Sequence, residues 1–305
     1  MLSHSEPRTI PALVVDDSKS LASFLQDLFE AVHLQSPTLY LDLEGIKLSR
    51  NGSVSLLTLL THSNGKPDRV YLVDIHTLGS SAFTTISSSS NDRKIRTLKD
   101  ILESRRIPKV FFDVRNDSDA LFSHFGIKMK GIIDLQLMES ASRRTGANGK
   151  RFLVGLGKCI ERDSGLSDEE KKVWETSKDK GKKLFAPEEG GRYEAFNERP
   201  LHDDLKIYCE QDVRLLPRLH EIYDARLRKM PGIWTRKINN ETKRRLEESM
   251  AASYEPHGKD KALAPDWKEV SDDSSSEDEE WDGYEDTARD CEGWEDDMIK
   301  NGEYF

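Results

Sequence analysis

Hydrophobic positions change their spacing twice along this chain. Residues 10–15 form a short apolar run that ends at polar Asp16, Asp17 and Ser18. Leu21, Phe24, Leu25, Leu28 and Phe29 follow at helical spacing and predict an amphipathic helix. Asp17 or Ser18 would cap it, because their oxygens can accept from free first-turn amides. Three strand-like runs come next, at 38–46, 53–61 and 70–75. Asn51-Gly52 lies between the first two and tolerates the positive φ of a tight turn. Asn64-Gly65 and Pro67 punctuate the second gap. Three strands with short links predict an antiparallel meander. Residues 84–93, with serines from Ser87 to Ser90, read as a loop.

The rhythm then becomes helix and strand alternation. A helix is expected over 95–104, a strand over 108–114, a helix over 117–125, a short extended piece at 131–133 and a helix over 134–142. Alternation of this kind implies parallel strands joined by crossovers. The expected fold class is therefore α/β: a mixed sheet, antiparallel meander plus parallel strands, flanked by helices. Residues 143–200 are irregular and rich in Lys, Gly and Arg, with helices expected at 152–162 and 168–180. One long helix is expected from about His202 to Lys229, and a further polar helix over 235–252. The chain divides into a main domain over 1–230, a helical or irregular extension over 231–270, and a tail over 271–305. The tail is rich in Ser, Asp and Glu and is expected to be disordered.

Composition sharpens this division. A chain of 305 residues with 36% hydrophobic content supports one large domain with appendages. The net charge of -10 conceals a split, because the tail from Ser271 holds 15 acidic and 2 basic residues, or -13. The remaining body carries +3, a balance that suits a nucleic-acid partner. Trp281, Tyr284 and Trp294 stand among the tail's acids. Such a segment offers a surface to a basic protein partner, and its plainer role is to solubilise. The three cysteines lack metal or pairing spacing, so a reduced, intracellular compartment is expected. No apolar stretch is long enough to span a bilayer, so no membrane partner is expected.

Four carboxylates and a phenol carry the candidate chemistry. Strand alternation over 39–45 puts Leu39, Leu41 and Leu43 on one face and Tyr40, Asp42 and Glu44 on the other. Two carboxylates beside a core repel each other and cost desolvation energy. A bound cation removes both penalties; the competing reading is a half-exposed strand with ordinary surface acids. Asp117 sits past a strand end in the first turn of a helix, where ligands collect in open sheets. A helix cap is the plainer role for it, and Asp113 and Asp119 are its rivals. Tyr208 and Asp212 lie four apart, on one helix face. Hard divalent cations prefer carboxylate oxygens to thiols or imidazoles. Two such cations about 3.5–4 Å apart can stabilise the attacking and leaving oxygens of an in-line displacement.

Taken in order, Leu41-Asp-Leu-Glu-Gly45, Asp117 with Leu121 and Phe125-Gly-Ile127, and Tyr208-x-x-x-Asp212 resemble the DEDDy branch of the DEDD 3′–5′ exonuclease superfamily. Ribonuclease D and Werner-type exonuclease domains are the similar groups. Ile133-Asp-Leu-Gln136 and Arg199-Pro-Leu201 support the resemblance, which extends over about residues 10–225. It implies a ribonuclease H-like fold, with two Mg²⁺ or Mn²⁺ ions held by Asp42, Glu44, Asp117 and Asp212. It also implies that Tyr208 orients the attacking water, completing the catalytic set. The implied activity is 3′–5′ exonuclease cleavage of single-stranded nucleic acid with a free 3′ end, RNA slightly favoured over DNA. The alternative is a catalytically inactive RNA-binding adaptor on the same fold.

Several positions depart from that pattern. Phe196 stands where the family usually has tryptophan, and Leu135 replaces a threonine. Residues 163–198 are longer than the family core. Asp134 reads as structural. Arg143, Arg144, Lys150 and Arg151 are the candidate phosphate contacts. The lysines at 171, 172, 178, 180, 182 and 183 are interspersed with Asp168, Glu169, Glu170 and Asp179, and read more as a solvated helix face. Gly45, lacking a side chain, would let a substrate terminus approach closely.

Overall fold

A computed structural model describes residues 12–35, 37–63, 67–87, 95–143, 152–268 and 270. The predicted meander is present as β2 (Thr38–Glu44), β3 (Leu56–His62) and β4 (Arg69–Asp74), paired antiparallel. Three short strands join it in parallel: β1 (Leu13–Val15) beside β4, β5 (Lys109–Phe111) beside β2, and β6 (Ile132–Asp134) beside β5. The sheet order is β1-β4-β3-β2-β5-β6, the expected mixed sheet.

The first turn of the meander is longer than the spacing predicts. The β2–β3 ladder closes at Glu44 and Leu56. Between them a looped segment is held by bonds from Gly52 N to the Ser49 carbonyl and from Ser53 N to the Ile46 carbonyl. A Cβ on Gly45 would lie 2.0 Å from the Ser53 carbonyl oxygen. The missing side chain at Gly45 therefore serves this backbone approach within the turn.

Alternation along the strands divides the core in two. Leu39, Leu41 and Leu43 pack with Leu57, Leu59 and Tyr71 against Phe24 and Leu28 of α1 (Ser18–Gln35). Ile101 of α4 (Leu98–Glu103) and Leu121 of α5 (Arg115–Phe125) complete this face. On the other face, Tyr40, Leu60 and Val70 meet Leu137 of α6 (Leu135–Ser142) and Leu219 and Tyr223 of α10 (Leu216–Leu227). Leu56 and Leu72 meet Leu205 and Cys209 of α9 (Asp203–Arg214). Each fully buried leucine contributes roughly 1.5–3 kcal/mol, so both faces hold β2 centrally.

Three helical details differ from expectation. Two short helices, α2 (Ile75–Leu78) and α3 (Ser81–Thr84), follow β4 directly; the Asp74 side chain caps α2 through the Thr77 amide. The predicted helix from His202 to Lys229 is two helices that meet at Leu215. Pro217 lies in the first turn of α10, where its missing N–H costs nothing, whereas inside one continuous helix it would break the ladder. Helices α7 (Leu156–Asp163) and α8 (Asp168–Phe185) fill the irregular stretch, and α8 runs farther than predicted.

The extension beyond residue 231 carries α11 (Ile233–Met250), which packs on α5 and α6. Arg245 reaches the Asp134 carboxylate at 2.7 Å, and Ser249 donates to Ser118 at 2.8 Å. The expected disordered tail, 271–305, lies outside the described residues. Among the described residues no helix is long and apolar enough to cross a membrane.

Candidate metal centre

The candidate site forms where the end of β2 meets α9. Asp42 and Glu44 are half-buried on the face of β2 opposite its buried leucines. Helix α9 docks beside this face through Leu205 and Cys209, which sets Tyr208 and Asp212 one turn apart above the strand. Carboxylate oxygens of Asp42, Glu44 and Asp212 all come within 4.8 Å of one another. Asp117 stands outside this trio, yet its Oδ1 accepts from the Leu43 amide at 3.2 Å. Pairing of β2 with β5 is confined to Leu39 and Tyr40, so that amide lies past the end of the parallel ladder.

Arginines separate Asp117 from its rivals. Asp119 is fully buried and receives the Arg50 Nε at 2.6 Å. Asp113, in a left-handed conformation with φ of 64°, pairs with Arg115 at 2.6 Å. Asp134 caps α6 through the Gln136 amide, accepts from the Asp113 amide at 3.2 Å, and pairs with Arg245. It fastens the β5–α5 turn rather than facing the site. Phe196, in the tryptophan's place, packs at a tilt against Phe185 with ring centroids 4.8 Å apart, and Arg199 clamps Asp74.

Charge is concentrated and poorly solvated here. Burial raises Asp42 well above the usual carboxylate range, and the charges of Glu44, Asp212 and Asp117 add to the rise. Burial, then Asp212, pushes Glu44 up to about 8. Burial, then Asp113, pushes Asp117 up to about 7. Asp212 is also raised by burial, against the opposing pull of Lys178. The Tyr208 phenol is raised by burial and by the nearby Glu44, Asp212 and Asp42 charges, so it keeps its proton at neutral pH.

These shifts predict a pH dependence. Between 4.5 and about 8 the folded chain retains a proton on Glu44 that the unfolded chain has released. Stability without metal should therefore fall as pH rises through that interval, with Asp117 adding a fall between 3.8 and about 7. Divalent-cation affinity should climb over the same range, because binding requires those protons to leave. Melting curves in EDTA and in Mn²⁺ at several pH values check both slopes.

One residue of the site was not singled out by its spacing. Lys178 of α8 is buried, and its Nζ donates to both carboxylate oxygens of Asp212, at 2.5 and 2.6 Å. The same atom lies 3.1 Å from the centroid of the Tyr208 ring. The expected solvated lysine face is thus corrected at this position. A signal was available: Trp174, Lys178, Gly181 and Phe185 recur at the four-three-four spacing of a buried helix stripe. Gly181 lets α8 press on α9, since a Cβ there would lie 2.6 Å from the Tyr208 Cβ. A cavity of about 500 Å³ joins the two, lined by Asp42, Glu44, Trp174, Lys178, Tyr208 and Asp212 among others.

The donor set fits a divalent cation. It is all hard oxygen, the carboxylates are crowded and desolvated, and the structure already places one cationic group on Asp212. The basic cluster does not extend this site. Arg143 is buried and committed to Glu139 at 3.1 Å and to the Phe152 carbonyl at 2.9 Å, which withdraws it as a phosphate contact. Burial of the Glu139 carboxylate explains why: it needs a cation beside it. Arg144, Lys150 and Arg151 lie outside the described residues.

Fold and donor set define the class as a ribonuclease H-like exonuclease fold with an acidic cluster between sheet and helix. A family model for 3′–5′ exonuclease matches residues 14–228, and the chain belongs to that family. Over 96 residues it is 36% identical to the Mus musculus protein named piRNA biogenesis protein EXD1, and 35% identical to its Homo sapiens counterpart. Those matches span 32% of this chain and only 14% and 16% of the relatives' own lengths. Among solved structures, Trypanosoma brucei RNase D in complex with RNA U12 superposes with a TM-score of 0.58 at 23% identity, over 80% of this chain and 72% of that one. Escherichia coli RNase D, described as an exoribonuclease involved in structured RNA processing, gives 0.54 at 17% identity, over 80% and 52%. Both show the same fold. Helix α11 lies beyond the family match and buttresses α5 from outside it.

Proposed function

We propose that this protein hydrolyses phosphodiester bonds from the 3′ end of single-stranded nucleic acid, with two Mg²⁺ or Mn²⁺ ions at the acidic cluster. The convergence of Asp42, Glu44 and Asp212 within 4.8 Å carries the reading. Asp42, Glu44, Asp117 and Asp212 would hold the ions. When bound, these supply positive charge that lowers the pKa of water and stabilises the leaving oxygen. Tyr208 keeps its phenolic proton and stands one helical turn from Asp212, where its hydroxyl can orient the attacking water. RNA is favoured over DNA because the relatives at 36% and 35% identity are named for piRNA biogenesis.

The test is incubation of 5′-labelled single-stranded RNA and DNA with the protein in Mg²⁺, Mn²⁺ or EDTA. Stepwise shortening from the 3′ end, lost in EDTA, is expected. Tyr208→Phe should lower turnover by about 100- to 10,000-fold while sparing metal binding, since the ring remains and only the positioning hydroxyl goes. Metal titration and single-turnover rates on the variant check this. A second reading, an inactive RNA-binding adaptor, draws on the ammonium of Lys178 seated on Asp212. RNA binding without shortening in any metal would select it.

A further inference from the structure

Helix α8 brings a positive charge of its own to the centre. The Lys178 ammonium covers both oxygens of Asp212. Burying a lysine costs desolvation energy, and an acidic partner is what offsets it here. The placement is fixed by packing: Gly181 sits against Tyr208, and Phe185 meets the Tyr208 ring at 4.9 Å. The side chain, however, is a flexible stem with a compact charge, and it can leave Asp212 by rotating while α8 stays in place. Acidic partners stand ready for it in the same cavity, where Glu161 of α7 and Glu175 and Asp179 of α8 all contribute to the lining.

We propose that Lys178 sets metal loading at this centre: its ammonium and a divalent cation exclude one another at Asp212, so the lysine swings away as the cation enters. The inference rests on the metal-dependent reading above. Its physical basis is occupancy: Nζ lies 2.5 and 2.6 Å from the two Asp212 oxygens, the atoms through which Asp212 would bind a cation, and an ammonium, unlike a carboxylate or water, cannot itself serve as a ligand to the incoming charge. Lys178 is a positioning residue in this scheme. It holds Asp212 and the Tyr208 ring in place before metal arrives.

Mn²⁺ titration of the full chain tests this, with free ion followed by electron paramagnetic resonance. The wild type is compared with Lys178→Gln, Lys178→Arg and, as a control, Asp42→Ala. Lys178→Gln should bind Mn²⁺ at least about tenfold more tightly, because one opposing charge has gone. Its melting temperature in EDTA should drop, since Asp212 loses its partner, and should rise more than the wild type's on adding Mn²⁺. Lys178→Arg keeps the charge and can take both Asp212 oxygens in a fork, so it should bind Mn²⁺ no more tightly than wild type; this variant carries the comparison if Lys178→Gln cannot be isolated. Unchanged or weaker Mn²⁺ affinity in Lys178→Gln, or tighter affinity in Lys178→Arg, overturns the inference. The metal centre itself survives that result if wild type still binds Mn²⁺ and Asp42→Ala does not. Failure of every protein to bind Mn²⁺ overturns both.

Discussion

Asp42→Ala should reduce nucleotide release by more than about 1,000-fold, beyond the loss usual for a single transition-state donor, while the fold remains intact. Asp42 projects from the central strand into the trio with Glu44 and Asp212, so under the proposed function its loss would remove a shared ligand rather than a peripheral contact. The same change should leave the metal-free melting temperature equal or higher. Asp42 is held above its usual pKa by burial and by three neighbouring carboxylates, and alanine relieves that repulsion. Mn²⁺ should stabilise the wild type more than the variant. Labelled-RNA degradation and paired melts in EDTA and Mn²⁺ measure all three effects. Wild-type degradation rates in purified Asp42→Ala would remove Asp42 from the site.

Asp117→Ala and Asp119→Ala should fail in opposite ways. Asp119 is fully buried against Arg50, which also donates to the Ser249 carbonyl at 2.8 Å and so ties the β2–β3 turn to the end of α11. Removing Asp119 should cost about 3 kcal/mol, the lower end for breaking a buried pair, because Arg50 keeps some contact with water. Residual activity should follow the folded fraction. Asp117 has the Leu43 amide and the repulsion of its acidic neighbours. Its removal should cost only about 1 kcal/mol, the scale of one hydrogen bond, and should abolish activity in folded protein. Urea denaturation with activity assays on both variants separates the cases. Activity loss in stable Asp119→Ala, with none in Asp117→Ala, would transfer the role to Asp119.

Much of the fold is legible in the sequence. The meander followed from strand-length apolar runs around turn residues, and the parallel strands from helix–strand alternation. The one long helix expected over α9 and α10 failed at a legible place, Pro217, because its apolar stripe runs on across the break. Arg143 departs from expectation for a different reason. A basic residue beside other basic residues looks solvated until the buried carboxylate it serves, Glu139, is known to be buried.

What the sequence determined by itself was local and periodic. A strand repeats every two residues, so Asp42 and Glu44 had to share a face opposite Leu41 and Leu43. A helix repeats every 3.6, so Tyr208 and Asp212 had to stand together. Tertiary structure alone decided how distant charges met. It spent Asp113 on Arg115 and Arg245 and Asp119 on Arg50, which leaves Asp117 beside the strand end. It also carried Lys178 from a helix 34 residues away onto Asp212. Ion pairs between elements depend on which faces pack together and how dry the contact is, and neither is written in the spacing of residues along one segment.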